Sequence, residues 1–229
     1  MDHDQLVAAI RARHAVRRYL DQPIPGEVRA ELDAEVARCN AASGLNMHLV
    51  LDEPAGFKGG MSHYGTLVGV RNYLALVHTT GSDRDTACGY WGQHVVLLAQ
   101  HLGLNSCWVG LTYNKRQVKT HAGADEKVAL VVALGYGETP GHPHKSKPIE
   151  KLGGTADGSP WPDWFRSGVE LAALAPTGLN QQKFFFELDG TVVRATPGLG
   201  SYTKVDLGIA RYHFEIGATG AQWQWADGA

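Results

Sequence analysis

Apolar residues recur every three or four positions in several stretches of this 229-residue chain, which is the spacing of one face of a helix. The longest such stretch runs from Cys88 to Leu102, and Gly103 supplies a stop signal directly after it. The same spacing predicts further helices that run up to Arg13, from about Glu27 to Cys39, from Trp164 to Leu174 and from about Val205 to Ile216.

Shorter apolar or alternating runs between these helices predict strands. They lie at Asn46 to Leu51, Val70 to His78, Ser106 to Leu111 and Val128 to Leu134, and a hairpin flanks Asp189-Gly190. Because helices and strands alternate along the chain, we expect an α+β (layered α/β) fold in one domain that spans residues 1–229.

Two segments rich in glycine interrupt the pattern. Gly56 to Gly69 is expected to be a loop with a short helix, and Gly153 to Pro162 is expected to be a linker. On either side of that linker the chain repeats itself, because residues 41–46 read AASGLN and residues 175–180 read APTGLN, each between a predicted helix and a predicted strand. The repeat predicts a common local structure and divides the domain into halves of about 1–152 and 160–229.

The composition argues against several classes of function. Lysine and arginine number 21 against 23 acids, a net charge of −2, which leaves no electrostatic footprint for nucleic acid or a membrane surface. The three cysteines are widely spaced, and no Asp, Glu or Cys partner set lies near His142 and His144, so neither a disulfide framework nor a metal site is predicted. The acids Asp2 and Asp4 and the short apolar run after them do not fit a secretory signal, so we expect a cytoplasmic protein.

Cationic residues nevertheless cluster in two islands. Arg11 to Tyr19 holds four arginines and a histidine without an acid, and the segment from Thr139 to Ile149, which includes Lys145 and Lys147, also lacks acids. On a helix, Arg13 and Arg17 would share one face and repel each other unless an anion lay between them. Guanidinium and ammonium groups are the usual ligands of phosphate, so the islands indicate a phosphate site, with a solvated basic surface as the alternative.

Four stretches resemble the flavin-dependent nitroreductase family. Residues 13–19 (RHAVRRY) resemble its opening signature Arg-Arg-Ser-Val-Arg-x-Phe, and residues 102–110 (LGLNSCWVG) resemble its Leu-Gly-x-x-x-x-Trp-Ile-Gly segment. Residues 134–137 (LGYG), followed by KSKP at 145–148, resemble its Leu-Gly-Tyr-Pro strand end and later basic pair. Residues 175–182 (APTGLNQQ) resemble its Pro-Ser-x-x-Asn-x-Gln turn.

The resemblance implies a nitroreductase-like fold, with a central mixed or antiparallel sheet flanked by helices, and a bound FMN. In the family, the opening signature holds the phosphate and ribityl of FMN, the basic pair also contacts the phosphate, and the other two stretches approach the flavin ring. It implies no catalytic acid or base, because the flavin carries the chemistry. The implied cofactor-binding residues are Arg13, His14, Ala15, Arg17, Trp108, Val109, Gly110, Lys145, Lys147, Pro176, Thr177, Gly178 and Asn180.

The chain departs from the family in two places. Ala15 stands where the family usually has a serine that binds the phosphate, and the better copy of the Pro-Ser-x-x-Asn turn lies in the second half, whereas the early copy at residues 42–46 lacks the proline. In the family, two subunits of a homodimer lend this turn to each other's flavin. A chain with two copies resembles the branch of single-chain pseudo-dimers, which implies a monomer or a weak homodimer.

The function implied is FMN-dependent reduction of nitroaromatics, quinones or similar acceptors by NADH or NADPH. No Gly-x-Gly-x-x-Gly follows a predicted strand, so we expect no separate dinucleotide site, and we expect ping-pong kinetics. Two other hypotheses stay open. The missing serine at Ala15 admits a module that binds or senses flavin without useful turnover, and an interaction protein without flavin could keep the fold alone.

Overall fold

The computed structural model of the protein describes residues 1–58, 67–80 and 84–226. The α-helices in these ranges are α1 (His3–Ala12), α2 (Gly26–Ser43), α3 (Asp85–His101), α4 (Lys115–Val118), α5 (Asp163–Ala172) and α6 (Thr203–Gly217). The strands are β1 (His48–Val50), β2 (Asn72–Thr79), β3 (Asn105–Val109), β4 (Glu126–Gly135), β5 (Gly153–Thr155), β6 (Phe184–Asp189), β7 (Val192–Pro197) and β8 (Gln224–Trp225). The α+β class is confirmed.

Local signals account for the start of α1 and the end of α2. At the start of α1, the Asp2 side chain accepts from the Gln5 N–H while the Gln5 side chain accepts from the Asp2 N–H, which is a capping box. Helix α2 continues past the predicted end at Cys39 and stops at Gly44, whose left-handed conformation (φ 69°) suits glycine. The expected loop from Gly56 to Gly69 lies partly outside the described residues, and its described start belongs to a 3₁₀ turn at Pro54–Phe57.

The described strands form two four-stranded sheets rather than one central sheet. The first is antiparallel with the order β1-β2-β4-β3. The second has the order β5-β6-β7-β8, in which the predicted hairpin β6-β7 is flanked by two parallel partners. Its edge strands are short, and no alternation of side chains marks them in the sequence.

The linker predicted at Gly153 to Pro162 is wrong at its start, because Gly153–Thr155 is β5 and pairs with Phe186–Leu188 of β6. The glycines carry no side chain from which a strand pattern could be read. Gly153 is packed under Val169 and Trp161, so this segment belongs to the body of the domain.

Helices α3 and α6 cross at the centre of the molecule, between the two sheets. The largest apolar cluster joins these helices to α2 and α5 and to the inner faces of both sheets. The chain order α2, turn, β1, β2, α3 in the first half matches α5, turn, β6, β7, α6 in the second. The division into repeated halves remains a prediction. Among the described residues, no helix has the length and apolar character that a bilayer crossing requires.

Candidate cofactor site

Arg13 lies at the point where the chain leaves α1 and turns into the protein. Its backbone is extended (φ −73°, ψ 118°), and the next residues run beside β3, where the Val16 N–H donates to the Ser106 carbonyl oxygen at 3.0 Å. This path buries Arg13 to 3% exposure. Within the described part of the chain, the Arg13 Nε and Nη1 atoms have no hydrogen-bond partner. A buried guanidinium with two unsatisfied nitrogen atoms is costly, and an anionic ligand would satisfy them.

The surroundings of Arg13 are basic. A small cavity beside it is lined by Arg11, Arg13, His14 and His144 together with Ile10, Pro143 and Leu174, so no carboxylate borders it. Burial lowers the pKa of Arg13 to about 10, and the neighbouring Cys107 and Tyr19 partly offset this. The guanidinium therefore stays charged at neutral pH, and the cavity has the electrostatic character of an anion site.

The rest of the first island divides between site and surface. Arg17 is exposed and lies close enough to the Cys107 thiol to act on it electrostatically. Arg18, by contrast, forms an exposed ion pair with Glu138, with Nε and Oε2 2.7 Å apart. Ala15 forms a bridge to Ser106 and brings no hydroxyl.

The second island lies against the turn of the second half. Asn180 Nδ2 donates to the Lys145 carbonyl oxygen at 2.9 Å, and Lys147 Nζ donates to the carbonyl oxygens of Gln181 and Gln182 at 2.8 and 2.9 Å. The Lys147 N–H also donates to Gln182 Oε1. The structure thus brings together Lys145, Lys147 and Asn180, which are far apart in sequence.

The turn at residues 176–182 has an unusual backbone. Leu179, Asn180 and Gln182 all have positive φ angles of 44 to 53°, a conformation that costs energy for residues other than glycine. The Thr177 Oγ1 atom accepts from the Gln182 N–H at 3.0 Å and helps to hold it. Pro176, at the start of the turn, and Gly178 are half-buried, and Leu179 is 83% exposed.

Asp206 of α6 also holds this turn, and the sequence interpretation missed it. Its carboxylate accepts from the Gly178 N–H at 3.0 Å and from Gln181 Nε2 at 2.7 Å. Burial raises the pKa of this carboxyl to about 6, against the lowering effect of the two hydrogen bonds. The sequence feature that could have indicated it is an acid directly between Val205 and Leu207 in a helix that is otherwise largely apolar there.

The segment Trp108 to Gly110 connects β3 to the second half. The Tyr202 hydroxyl donates to the Gly110 carbonyl oxygen at 2.7 Å, and an added Cβ at Gly110 would lie 2.5 Å from the Tyr202 ring and would force that ring to move. Val109 is buried in the core beside it.

Two buried polar residues, which the sequence did not point to, connect Trp108 with the surroundings of Arg13. Trp108 Nε1 donates to Gln93 Oε1 at 3.2 Å, so the Gln93 amide nitrogen donates to His213 Nε2 at 2.8 Å. The His213 Nδ1 atom then carries the proton and donates to the Leu171 carbonyl oxygen. Burial, with help from Arg13, lowers the pKa of His213 to about 3, so this imidazole is neutral.

The early copy of the repeat has different partners. Asn46 Nδ2 donates to both carboxylate oxygens of Glu126 at 3.0 Å, whereas Asn180 donates to a backbone carbonyl. The N-terminal end of α3 contributes Arg84, which donates to the Ser43 carbonyl oxygen, where α6 contributes Asp206 to the later turn. The two turns have therefore become chemically distinct.

Comparison with known proteins places the chain. A family model described as "Putative TM nitroreductase" matches residues 5–218. A putative nitroreductase from Thermotoga maritima has a similar structure, with a TM-score of 0.65 and 21% identity over 94% of this chain and 84% of that chain.

Two other solved structures share the fold over a smaller part of the chain. A putative NADH dehydrogenase/NAD(P)H nitroreductase from Parabacteroides distasonis has a TM-score of 0.52 and 19% identity, over 65% of this chain and 96% of that chain. A nitroreductase family protein from Streptococcus pneumoniae has a TM-score of 0.52 and 14% identity, over 64% of this chain and 97% of that chain. No curated protein matches the sequence. Since the family model covers nearly the whole chain, the protein belongs to the putative TM nitroreductase family.

Proposed function

We propose that the protein is an FMN-dependent oxidoreductase that accepts hydride from NADH or NADPH and reduces nitroaromatics, quinones or similar small acceptors. Membership of a nitroreductase family supports the reaction class. The observation that carries the cofactor assignment is the buried guanidinium of Arg13, whose Nε and Nη1 atoms lack partners in the described chain and which borders a cavity without acids. A phosphate monoester is an anion that such a group binds through charge-assisted hydrogen bonds.

The residues that would hold the cofactor come from both halves of the chain. Arg13, His14 and Arg17, with the basic segment that contains Lys145 and Lys147, would bind the phosphate. The turn at residues 176–180 and the backbone of residues 108–110 would border the flavin ring. When bound, FMN supplies the hydride and electron chemistry.

The task of the protein in this proposal is to position the cofactor and its partners. Asp206 keeps the Gly178 turn in its strained conformation, and the hydrogen bond from Tyr202 to Gly110 fixes the end of β3. In the network of Trp108, Gln93 and His213, the last two side chains are fully buried, and Gln93 holds the Trp108 ring in place by a hydrogen bond. We propose no acid or base among these residues.

A module that binds or senses flavin without turnover is the second candidate, because Ala15 brings no hydroxyl to the phosphate. An absorption spectrum of the protein after incubation with FMN and removal of free flavin tests whether the cofactor binds. Anaerobic mixing with NADH or NADPH then separates the two candidates. Rapid loss of the visible flavin band, and its return on adding a quinone, would support the oxidoreductase. A retained flavin that neither nucleotide reduces would support the binding module, and a protein that stays colourless would contradict both.

Steady-state kinetics test the mechanism. Without a separate dinucleotide motif, the nucleotide and the acceptor are expected to use one site in turn, which gives parallel double-reciprocal lines. Intersecting lines, with a demonstrated ternary complex, would contradict ping-pong kinetics but not the oxidoreductase itself.

A further inference from the structure

The segment at residues 141–147 crosses the chain that follows α1 and packs closely on it. An added Cβ at Gly141 would lie 2.9 Å from the His14 Cβ and 3.1 Å from the Ala15 carbonyl oxygen. Close backbone packing of this kind leaves the segment little freedom at its start.

Hydrogen bonds hold the same segment further along. His144 Nε2 and Ser146 Oγ both donate to the Ala173 carbonyl oxygen at 3.0 Å, and the Lys147 N–H is bound by Gln182. Because Nε2 of His144 carries the proton in this bond, Nδ1 is the atom that can gain one. The His144 imidazole is thus held in a fixed place on the wall of the cavity beside Arg13.

The groups around the cavity carry positive charge or can acquire it. His14 lies near Arg13, His142 and His144, and burial followed by the charge of Arg13 lowers the pKa of its imidazole. Arg11 lies at the same cavity wall, at the end of α1. In this environment a further proton on His14 is disfavoured until negative charge enters.

The remaining neighbours do not titrate in the physiological range. Arg13, with a pKa of about 10, stays charged, and His213 of α6, with a pKa of about 3, stays neutral. Burial raises the pKa of the Cys107 thiol in β3 and that of the Tyr19 hydroxyl, so both stay neutral. Imidazole is the side chain whose charge most readily changes near neutral pH, and His14 and His144 are the two imidazoles that line the cavity beside Arg13.

We propose that His14 and His144 take up a proton from solvent when the phosphate of the ligand binds beside Arg13, so that guanidinium and imidazolium hold the anion together. A dianion reverses the local field, which stabilises the protonated imidazole in place of opposing it. The inference rests on the proposed function for the identity of the ligand. It adds that phosphate binding is linked to protons and is tighter at lower pH.

The test measures proton uptake directly. Calorimetric titration of FMN near pH 7, in two buffers of different ionisation enthalpy, gives the number of protons bound with each flavin. The wild-type protein is expected to take up as much as about one proton for each FMN bound, because the number of protons taken up equals the change in charge of the imidazoles. Riboflavin, which lacks the phosphate, is expected to bind without uptake.

Variants locate the proton. His144→Gln and His14→Gln are each expected to reduce the uptake, whereas His101→Gln, an exposed position in the last turn of α3, should match the wild type. His144→Gln could disturb the fold because His144 donates a hydrogen bond to the Ala173 carbonyl oxygen, whereas His14 makes no such bond, so His14→Gln gives an independent result. Thermal melting shows whether each variant is folded. FMN binding without proton uptake, or uptake that both variants retain, would overturn the inference.

Inorganic sulfate separates this inference from the proposed function. Sulfate stays a dianion across this range, so any pH dependence of its binding belongs to the protein. Its affinity should fall by up to about tenfold per pH unit above the imidazole pKa if one proton is linked. If the protein binds sulfate with proton uptake but does not bind FMN, the proposed flavin function is contradicted and the proton-linked anion site is supported. If FMN binds and is reduced but no proton is taken up on binding, the proposed function is supported and the proton-linked site is contradicted.

Discussion

Gly89 of α3 packs against the backbone of α6, and Gly208 of α6 packs against the backbone of α3 in the same way. An added Cβ at Gly89 would lie 2.0 Å from the Val205 carbonyl oxygen, and one at Gly208 would lie 2.0 Å from the Thr86 carbonyl oxygen. Each carbonyl belongs to the residue three positions before the other glycine, so the contact is reciprocal. This relationship is what a local twofold axis between the two halves would produce, and it supports the proposed pseudo-dimer.

Gly208→Ala should destabilise the protein strongly, because the methyl group would force the two helices apart at their crossing. We expect a loss of about 3 kcal/mol or more in the free energy of unfolding, at the upper end for overpacked sites. Urea denaturation measures it. The control is Gly26→Ala at the start of α2, where an added Cβ would meet nothing within 4 Å. That change should be neutral or stabilise by up to about 1 kcal/mol. Equal effects of the two substitutions would contradict the crossing.

Arg13→Met should weaken FMN binding and have much less effect on riboflavin. Loss of a charge-assisted bond costs about 1.5 to 3 kcal/mol, which corresponds to roughly a 10- to 150-fold increase in Kd. Arg17→Met, Lys145→Met and Lys147→Met should act in the same direction. Fluorescence titration with both flavins measures it, and Arg18→Met is the matched control, since Arg18 is paired with Glu138 at the surface. Equal losses for FMN and riboflavin would contradict a phosphate role.

Each chain should bind one FMN, in a site that includes the turn of the second half. Asn180→Ala should lower flavin affinity, because the Asn180 amide joins that turn to Lys145. Asn46→Ala should leave flavin binding unchanged, since its amide is bound to the Glu126 carboxylate in the first half. Flavin content per chain after saturation measures the stoichiometry. A value near two, or equal flavin losses in the two variants, would show that the halves are equivalent.

Asp206 should make the protein less stable as the pH rises from about 4 to about 7. Its pKa is raised to about 6 in the folded state, above 3.8, so the folded protein holds this proton more tightly than the unfolded chain. The stabilisation from that proton is complete below the unfolded pKa and is lost as the pH rises through the folded pKa. The change should amount to about 2 to 3 kcal/mol, at about 1.4 kcal/mol per pKa unit.

The comparison with Asp206→Asn isolates this effect from other titrating groups. The free energy of unfolding of both proteins, measured by urea denaturation from pH 4 to pH 8, should differ by an amount that changes through pH 6. The variant should also bind flavin more weakly if the carboxylate shapes the Gly178 turn. A difference that stays constant across this range would contradict the raised pKa.

Much of the architecture could be predicted because its signals are local. The spacing of apolar residues from Cys88 to Leu102 and the turn at Asp189-Gly190 depend on neighbours a few positions away, and the structure has a helix and a hairpin there. The match of residues 13–19 to the nitroreductase signature likewise identified the family. The strand at Gly153–Thr155 escaped because its identity depends on pairing with Phe186–Leu188, some thirty positions later.

The sequence by itself therefore determined most of the helices and strands, the class of fold, the family and the two basic islands. Tertiary structure alone decided which side chains face one another. Nothing local distinguishes the buried Arg13 from the surface-paired Arg18, or reveals that Gln93 and His213 form one network with Trp108. Hydrogen bonds and desolvation act between groups that are distant along the chain, so their partners, and the pKa values that follow, exist only once α3 and α6 have packed together.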